Sequence, residues 1–301
     1  MQRAVLTIAY GTVDDLDDLP AFLTAIRRGN APPPAMVAEV RRRYLAIGGR
    51  SPLNEICRDV TRRIGERLGL RAAFAGRMWG PTPADVLAEL GRAGATQVVV
   101  LPLAPYSARD YVETVRVAAK ALTMTGKAGI DVVGPDNWGQ EPRLTEAFAA
   151  SLSRAVAALP ESTRRHARVL MSAHSLPLAV ARAGDAYERD VRASADAVAL
   201  AVGRSMLPHE VVFQSQGLGG GEWLGPDVRT TLDRLAAEGV TKVIFAPIGF
   251  LADHAEVLYD LDVEARGWAE ARGMEYARAG SLNASDGLID ALEVVARRLC
   301  S

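Results

Sequence analysis

The stretch Ala173-His174-Ser175-Leu176-Pro177 follows an apolar run, Arg168–Ser172, that reads as a β-strand. It places a histidine at the strand's carboxyl end. Neutral imidazole accepts protons near pH 7 and is a borderline-soft metal ligand. A structural histidine satisfied by hydrogen bonds is the competing assignment. His166 and His209 stand in polar connecting segments and read as surface residues. A second apolar run, Lys242–Ile248, leads through Gly249 and His254 to Glu256, Asp260, Asp262 and Glu264. Glu256, Asp260 and Glu264 recur every four residues, so on an α-helix they stack on one face. Like charges at that spacing cost roughly 0.2–0.5 kcal/mol per pair. A solvated helix face explains many such rows. Here Val257, Leu258, Leu261 and Val263 surround the row, which begins at a strand's carboxyl end beside His254. A carboxylate track of this kind takes up protons or hands on a divalent cation.

A second group of residues is cationic. Arg27 and Arg28 precede Gly29 and the run Pro32-Pro33-Pro34, and Arg41-Arg42-Arg43-Tyr44 leads to Gly48-Gly49-Arg50-Ser51-Pro52. The two glycines end a helix, and Ser51-Pro52 predicts the N-cap and first residue of the next. Arginines crowded around such a turn clamp carboxylates bidentately. Arg41 and Arg42 read as solvated helix residues, and Cys57 and Met78 as core. Gly217–Glu222 is not a G-x-G-x-x-G loop, because Glu222 stands in the place of the third glycine. Its glycines predict a flexible loop beside Trp223. No P-loop lysine, G-x-S-x-G elbow or H-E-x-x-H pair is present. Nothing in the chain therefore calls for NAD, ATP or a serine nucleophile.

These residues need a scaffold, and the apolar runs supply one. Candidate strands are Val5–Tyr10, Arg71–Trp79, Gln97–Leu103, Ile130–Gly134, Arg168–Ser172, Glu210–Gln214, Lys242–Ile248 and Met274–Ala279. They are rich in Val, Ile and Leu and barely alternate, as strands buried on both faces do. Amphipathic stretches lie between them: Ala35–Ile47, Pro83–Ala93, Arg143–Ala158, Tyr187–Val202 and Pro226–Glu238. This order predicts an α/β fold with parallel sheets. A shift of 145 residues superimposes Gly80–Pro102 on Gly225–Pro247 with 8 identities in 23 positions. The same shift sets Arg109 and Tyr111 opposite His254 and Glu256. A period this long points to two duplicated lobes, each a four-stranded parallel sheet flanked by helices. The expected division is 1–138 and 139–301, with the helix Leu288–Leu299 able to close either lobe. Ligands of such sheets bind beyond the carboxyl ends of the strands.

Composition bounds the function. The 301 residues are 49% hydrophobic and 24% charged, with 35 Lys plus Arg against 36 Asp plus Glu. A net charge of −1 gives no field for a nucleic-acid backbone. Cys57 and Cys300 are the two cysteines, too few for a disulfide framework or for the four thiolates of an iron–sulfur cluster. No apolar run approaches the roughly 18 residues of a membrane helix. Asp14, Asp15, Asp17 and Asp18 follow the short apolar N-terminus where a signal peptide needs small residues. A cytoplasmic location is expected.

Taken together, these segments resemble the ferrochelatases, which insert Fe(II) into a porphyrin. The resemblance rests on Ser172–Pro177, on Gln214-Ser215, on Trp223-Leu224-Gly225-Pro226 and on Pro247–Phe250 followed by Asp253–Asp262. The arginine-rich segment with Arg43-Tyr44, Gly48-Gly49 and Ser51-Pro52-Leu53 is most similar to the monomeric bacterial enzymes that use coproporphyrin III. The resemblance implies two Rossmann-like lobes with porphyrin between them. It implies that His174 and Glu256 handle iron and pyrrole protons from opposite sides of the ring, with Asp260 and Glu264 as further metal-handling residues. It assigns Arg27, Arg43, Tyr44, Ser51 and Trp223 to porphyrin binding. In those relatives a tyrosine that can ligate the product iron follows Gly11-Thr12, where this chain has Val13 and Asp14, and a second, porphyrin-contacting tyrosine aligns near Val115. Iron is then a substrate, with no permanent cofactor and no iron–sulfur cluster, and the chain is expected to be a monomer. The alternatives are a chelatase for another tetrapyrrole, of the cobalt or sirohydrochlorin type, and a two-lobed binding protein without turnover.

Overall fold

The computed structural model describes residues 2–124, 129–164, 166–217 and 221–300. Residues 218–220, within the expected glycine loop, lie outside that set. The chain forms two compact units. In the first, strands β1 (Arg3–Ala9), β2 (Arg71–Gly76), β3 (Gln97–Pro102) and β4 (Asp131–Val133) make a parallel sheet in the order β2-β1-β3-β4. In the second, β5 (Ala167–His174), β6 (His209–Gln214), β7 (Lys242–Ala246) and β8 (Glu275–Arg278) are parallel in the order β6-β5-β7-β8. All eight strands fall on the apolar runs, and the second order is the first advanced by four.

The internal repeat is visible atom by atom. Both Gly-Pro bonds, Gly80-Pro81 and Gly225-Pro226, are cis. Thr82 and Asp227, which are 145 apart, are the N-caps of the helices Pro83–Arg92 and Val228–Ala237, and each side chain accepts from a backbone N–H three residues on. Gly94 and Gly239 follow those helices at φ 94° and 81°, a left-handed turn that glycine makes without a Cβ clash. Leu87 and Leu90 in one unit, and Leu232 and Leu235 in the other, are buried against their own sheets.

Some boundaries differ from the expected ones. β2 stops at Gly76 because the chain folds back there: a Cβ on Gly76 would sit 2.1 Å from the Trp79 carbonyl oxygen. β7 stops before Pro247, which has no N–H for a ladder. β5 instead runs on through His174, paired in register with Gln214. Pro52, not Ser51, is the N-cap of the helix Leu53–Leu68, and the Ser51 hydroxyl accepts from Leu53 N–H at 3.4 Å.

The division of the chain also needs correcting. The second unit is Gly139–Leu251 with Ala255–Leu282, so 252–254 and everything from Asn283 onward belong to the first. A single cut before residue 139 therefore fails. The final helix, Asp286–Cys300, closes the first unit. Leu288, Ile289 and Leu292 are buried, Arg63 pairs with Asp286, and Arg67 reaches Asp290 at 2.9 Å and Glu293 at 2.7 Å. Among the described residues, no helix is long and apolar enough to cross a membrane.

Candidate functional site

His174 ends β5, and its imidazole Nε2 lies 3.7 Å from Glu256 Oε2. The other ring nitrogen, Nδ1, is bonded to the carbonyl oxygen of Ser175. A carbonyl only accepts, so Nδ1 carries a proton and donates it, and Nε2 is the ring nitrogen that faces the carboxylate. An imidazole nitrogen and a carboxylate oxygen thus face each other across 3.7 Å. Both side chains are open to solvent, at 34% and 41%.

The turn after His174 is strapped by a second segment. Leu178 N–H donates to Glu222 O, Leu224 N–H to Leu176 O at 2.8 Å, and the Ser175 hydroxyl to Leu224 O at 2.8 Å. Trp223 lies between those bonds, bridged to Pro177, with its ring over Gly217, where a Cβ would be 2.8 Å away.

Glu256 sits in the short helix Ala255–Leu258. Gln214, opposite His174 in the sheet, donates from Nε2 to the Glu256 main-chain oxygen at 3.0 Å. Its Oε1 is buried without a hydrogen-bond partner among the described residues, an acceptor suited to a water or a cation. Ser215 follows at φ 61° and donates its hydroxyl to Asp260, which is buried.

The expected one-face stack of Glu256, Asp260 and Glu264 is not what forms. Asp260–Ala265 winds as a π-helix, and Glu264 N–H reaches back five residues to Tyr259 O at 3.0 Å. The wider turn breaks the four-residue register. Asp260 turns to Ser215, while Asp262 is gripped by Arg278 through both oxygens at 2.9 Å. Among the described residues, no group of three or more His, Cys, Asp or Glu side chains converges on one metal position. The four expected metal residues are therefore a close pair, His174 with Glu256, and two acids further along the segment. The pair is also too close to sandwich a ring, which needs about 7 Å, or two contacts of about 3.5 Å. The two groups lie side by side, not across a ring-sized gap.

In the first unit, the expected porphyrin-binding residues are held by their own neighbours. Tyr44 is buried with its hydroxyl 2.6 Å from Thr12 Oγ1, and Ser51 is buried. Arg43 bonds Glu39 at 2.8 Å, and the guanidiniums of Arg42 and Arg43 hold the Glu39 carboxyl down at about 2. Arg27 Nε is buried without a hydrogen-bond partner among the described residues. Asp14 accepts from Asn54 Nδ2 at 3.0 Å and lies 3.4 Å from Arg58, while Val115 is core. Cys57 is fully buried, and burial pushes its thiol up to about 12, which leaves it inert as a nucleophile.

Sequence reasoning passed over Ser215 and the Asp262–Arg278 pair as working residues. The Gln214-Ser215 dipeptide was a signal for the first. Asp262 breaks the four-residue spacing and so carried none.

Comparison with known proteins agrees with this architecture. The family model described as Ferrochelatase matches residues 2–299. The chain is 36% identical to the coproporphyrin III ferrochelatase of Geobacillus kaustophilus, covering 97% of this chain and 94% of that one. It is 32% identical to the ferrochelatase of Herpetosiphon aurantiacus, covering 98% of both. Among solved structures it is similar in fold to SirB from Bacillus subtilis with Fe3+, at a TM-score of 0.59 and 13% identity over 100% of this chain and 96% of that one. With the family match spanning nearly the whole chain, the protein belongs to the ferrochelatase family and is a metal chelatase of haem biosynthesis that acts on porphyrin and iron.

Proposed function

We propose that the chain inserts Fe(II) into coproporphyrin III in preference to protoporphyrin IX, and that His174 and Glu256 carry the insertion. The observation that supports the site most directly is the 3.7 Å approach of Nε2 and Oε2, with Nδ1 held by the Ser175 carbonyl oxygen. Imidazole and carboxylate bonds of about 2.0–2.2 Å, as made to zinc, let both atoms hold one ion from that separation. Two N/O ligands hold Fe(II) weakly enough to let it go, which a closed thiolate site would not.

Insertion replaces two pyrrole protons by one Fe(II), so two protons leave. His174 Nε2 is placed to take one and the Glu256 carboxylate beside it the other, and both protons pass on to solvent. Protons and ferrous ion approach the same pair of bases, so loading the ion and accepting a proton alternate at one site. Glu264 and Asp260 lie further along the same segment and supply cations or carry protons away.

The substrate preference rests on different residues. Coproporphyrin III has four propionates where protoporphyrin IX has two. Each charge-assisted hydrogen bond to such a group is worth roughly 1.5–3 kcal/mol. The first unit offers Arg27, with its buried Nε, together with Arg28, Arg43 and Arg50. The name of the Geobacillus relative points the same way. The test is kcat/KM for both porphyrins in wild type, Arg27→Ala and Arg43→Ala. The wild type should favour coproporphyrin, and the variants should lose that preference. A wild type that favours protoporphyrin refutes the preference.

A further inference from the structure

The segment that carries Glu256, Asp260 and Glu264 is tied down at both edges of the second sheet. The order β6-β5-β7-β8 makes β6 and β8 the edge strands, with Gln214–Ser215 and Arg278 at their carboxyl ends. At the β6 edge, Gln214 holds the Glu256 main chain at 3.0 Å and Ser215 holds the Asp260 carboxylate. At the β8 edge, Arg278 grips both oxygens of Asp262 at 2.9 Å, and the Tyr276 hydroxyl donates to Asp262 at 3.2 Å. Two carboxylates of one π-wound turn are thus drawn to opposite edges, and the segment is stretched over the ends of β5 and β7, where His174 stands.

We infer that Ser215, Asp262 and Arg278 are positioning residues for metal insertion: they fix the π-wound segment across the sheet and thereby set Glu256 against His174. The inference rests on the reading of that pair as the metal-handling site. Asp262 and Arg278 are only 24% and 14% exposed. A half-buried ion pair gains little stability over apolar residues of the same size. What the planar fork adds is a fixed length and direction. Ser215 makes the same point in another way. Its left-handed backbone suits glycine or asparagine, yet the position carries the short hydroxyl that reaches Asp260.

The experiment measures kcat and KM for Fe(II) and for porphyrin, with Tm, in Arg278→Met, Arg278→Lys, Ser215→Gly and Ser215→Asn. Outer partners of metal ligands are worth about 10- to 100-fold in metal affinity or activity. Arg278→Met should lose about that in kcat/KM for Fe(II), with the porphyrin KM unchanged. Arg278→Lys should recover part of it, having the charge without the fork. Ser215→Gly accepts the backbone but has no hydroxyl and should fall. Ser215→Asn accepts the backbone and keeps a donor on a longer arm, and should recover part of what Ser215→Gly loses. Loss of iron and porphyrin parameters together, in step with Tm, would show a merely structural role and overturn the inference. Variants equal to an active wild type would overturn it alone. A wild type that forms no iron porphyrin would overturn the metal-insertion reading and this inference with it.

Discussion

The two lobes agree from Gly80 to Pro102 against Gly225 to Pro247 and then part company. In the first lobe the next element is Ala108–Met124, an uninterrupted α-helix of 17 residues. At the same shift of 145 the second lobe has three pieces: Ala255–Leu258, the π-wound Asp260–Ala265 and Arg266–Glu270. The chemistry parts at the same point. Tyr111 packs in the first core with the Arg77 guanidinium 4.7 Å above its ring, and Arg109 lies in solvent 3.8 Å from Asp136. Their counterparts are Glu256, which faces a histidine, and His254. A helix that only has to pack keeps regular winding. A helix that must send carboxylates to a strand end and to both sheet edges gives up the register to do so. The duplicated scaffold is common to both lobes, and the acids proposed to handle iron lie in the segment after a single strand of one of them.

The sharpest way to break the comparison is to exchange the chemistry without the shape. Glu256→Gln should lower the rate of iron insertion by about 10²–10⁴-fold, the range of a placed acid–base group. Near-wild-type single-turnover rates would make Glu256 no more than a counterpart of Tyr111.

Gly249→Ala tests the floor beneath His174. A Cβ there would lie 2.5 Å from both Cα and Cβ of Ala173. Overpacking of this kind costs about 1–3 kcal/mol, and urea unfolding would read it. Gly267→Ala has nothing within 4 Å and sits inside a helix, so it should gain about 0.5–1 kcal/mol. Equal effects at the two glycines would refute the close approach at Ala173.

Smaller effects should separate the acids. Glu264→Ala should lower the rate partially and raise the apparent KM for Fe(II), leaving the porphyrin KM alone. The reverse pattern would place Glu264 with the porphyrin. In the first lobe, Arg109→Ala should change stability by less than about 0.5 kcal/mol and leave iron kinetics untouched. A change in the KM for Fe(II) would show that the basic lobe also handles the metal.

The smallest effect concerns Glu39. Its folded pKa is depressed from 4.5 to about 2 by Arg42 and Arg43. Its contribution is therefore present above pH 4.5 and lost as pH falls toward 2. The stability difference between wild type and Glu39→Gln should narrow over that window, and a difference that widened would contradict the assignment.

Much of this was legible in the chain before folding. Eight short apolar runs without alternation matched eight parallel strands, and the repeat pointed to two lobes of four. His174 and Glu256 were legible because each follows a strand's carboxyl end. The π-winding was not, because it depends on partners remote in sequence: Ser215 lies 45 residues before Asp260, and Arg278 lies 16 after Asp262. The four-residue charge row assumes α-winding and cannot report its own failure. The final helix shows an apolar face in sequence, but not which sheet covers it. Arg63 and Arg67, some 220 residues earlier, decide that. Tyr44 and Ser51 were legible as polar groups beside turns, whereas their burial comes from packing around Thr12 and Leu53.

The central claim is that the bases at the end of β5 and in the segment after β7 insert iron. Anaerobic multiple turnover with Fe(II) and coproporphyrin III tests it directly, in wild type and His174→Ala, with porphyrin binding measured alongside. The wild type should form many equivalents of iron porphyrin per protein. The His174→Ala protein should bind porphyrin and form none. Turnover by His174→Ala at the wild-type rate, or saturation of the wild type at one equivalent, would contradict the account.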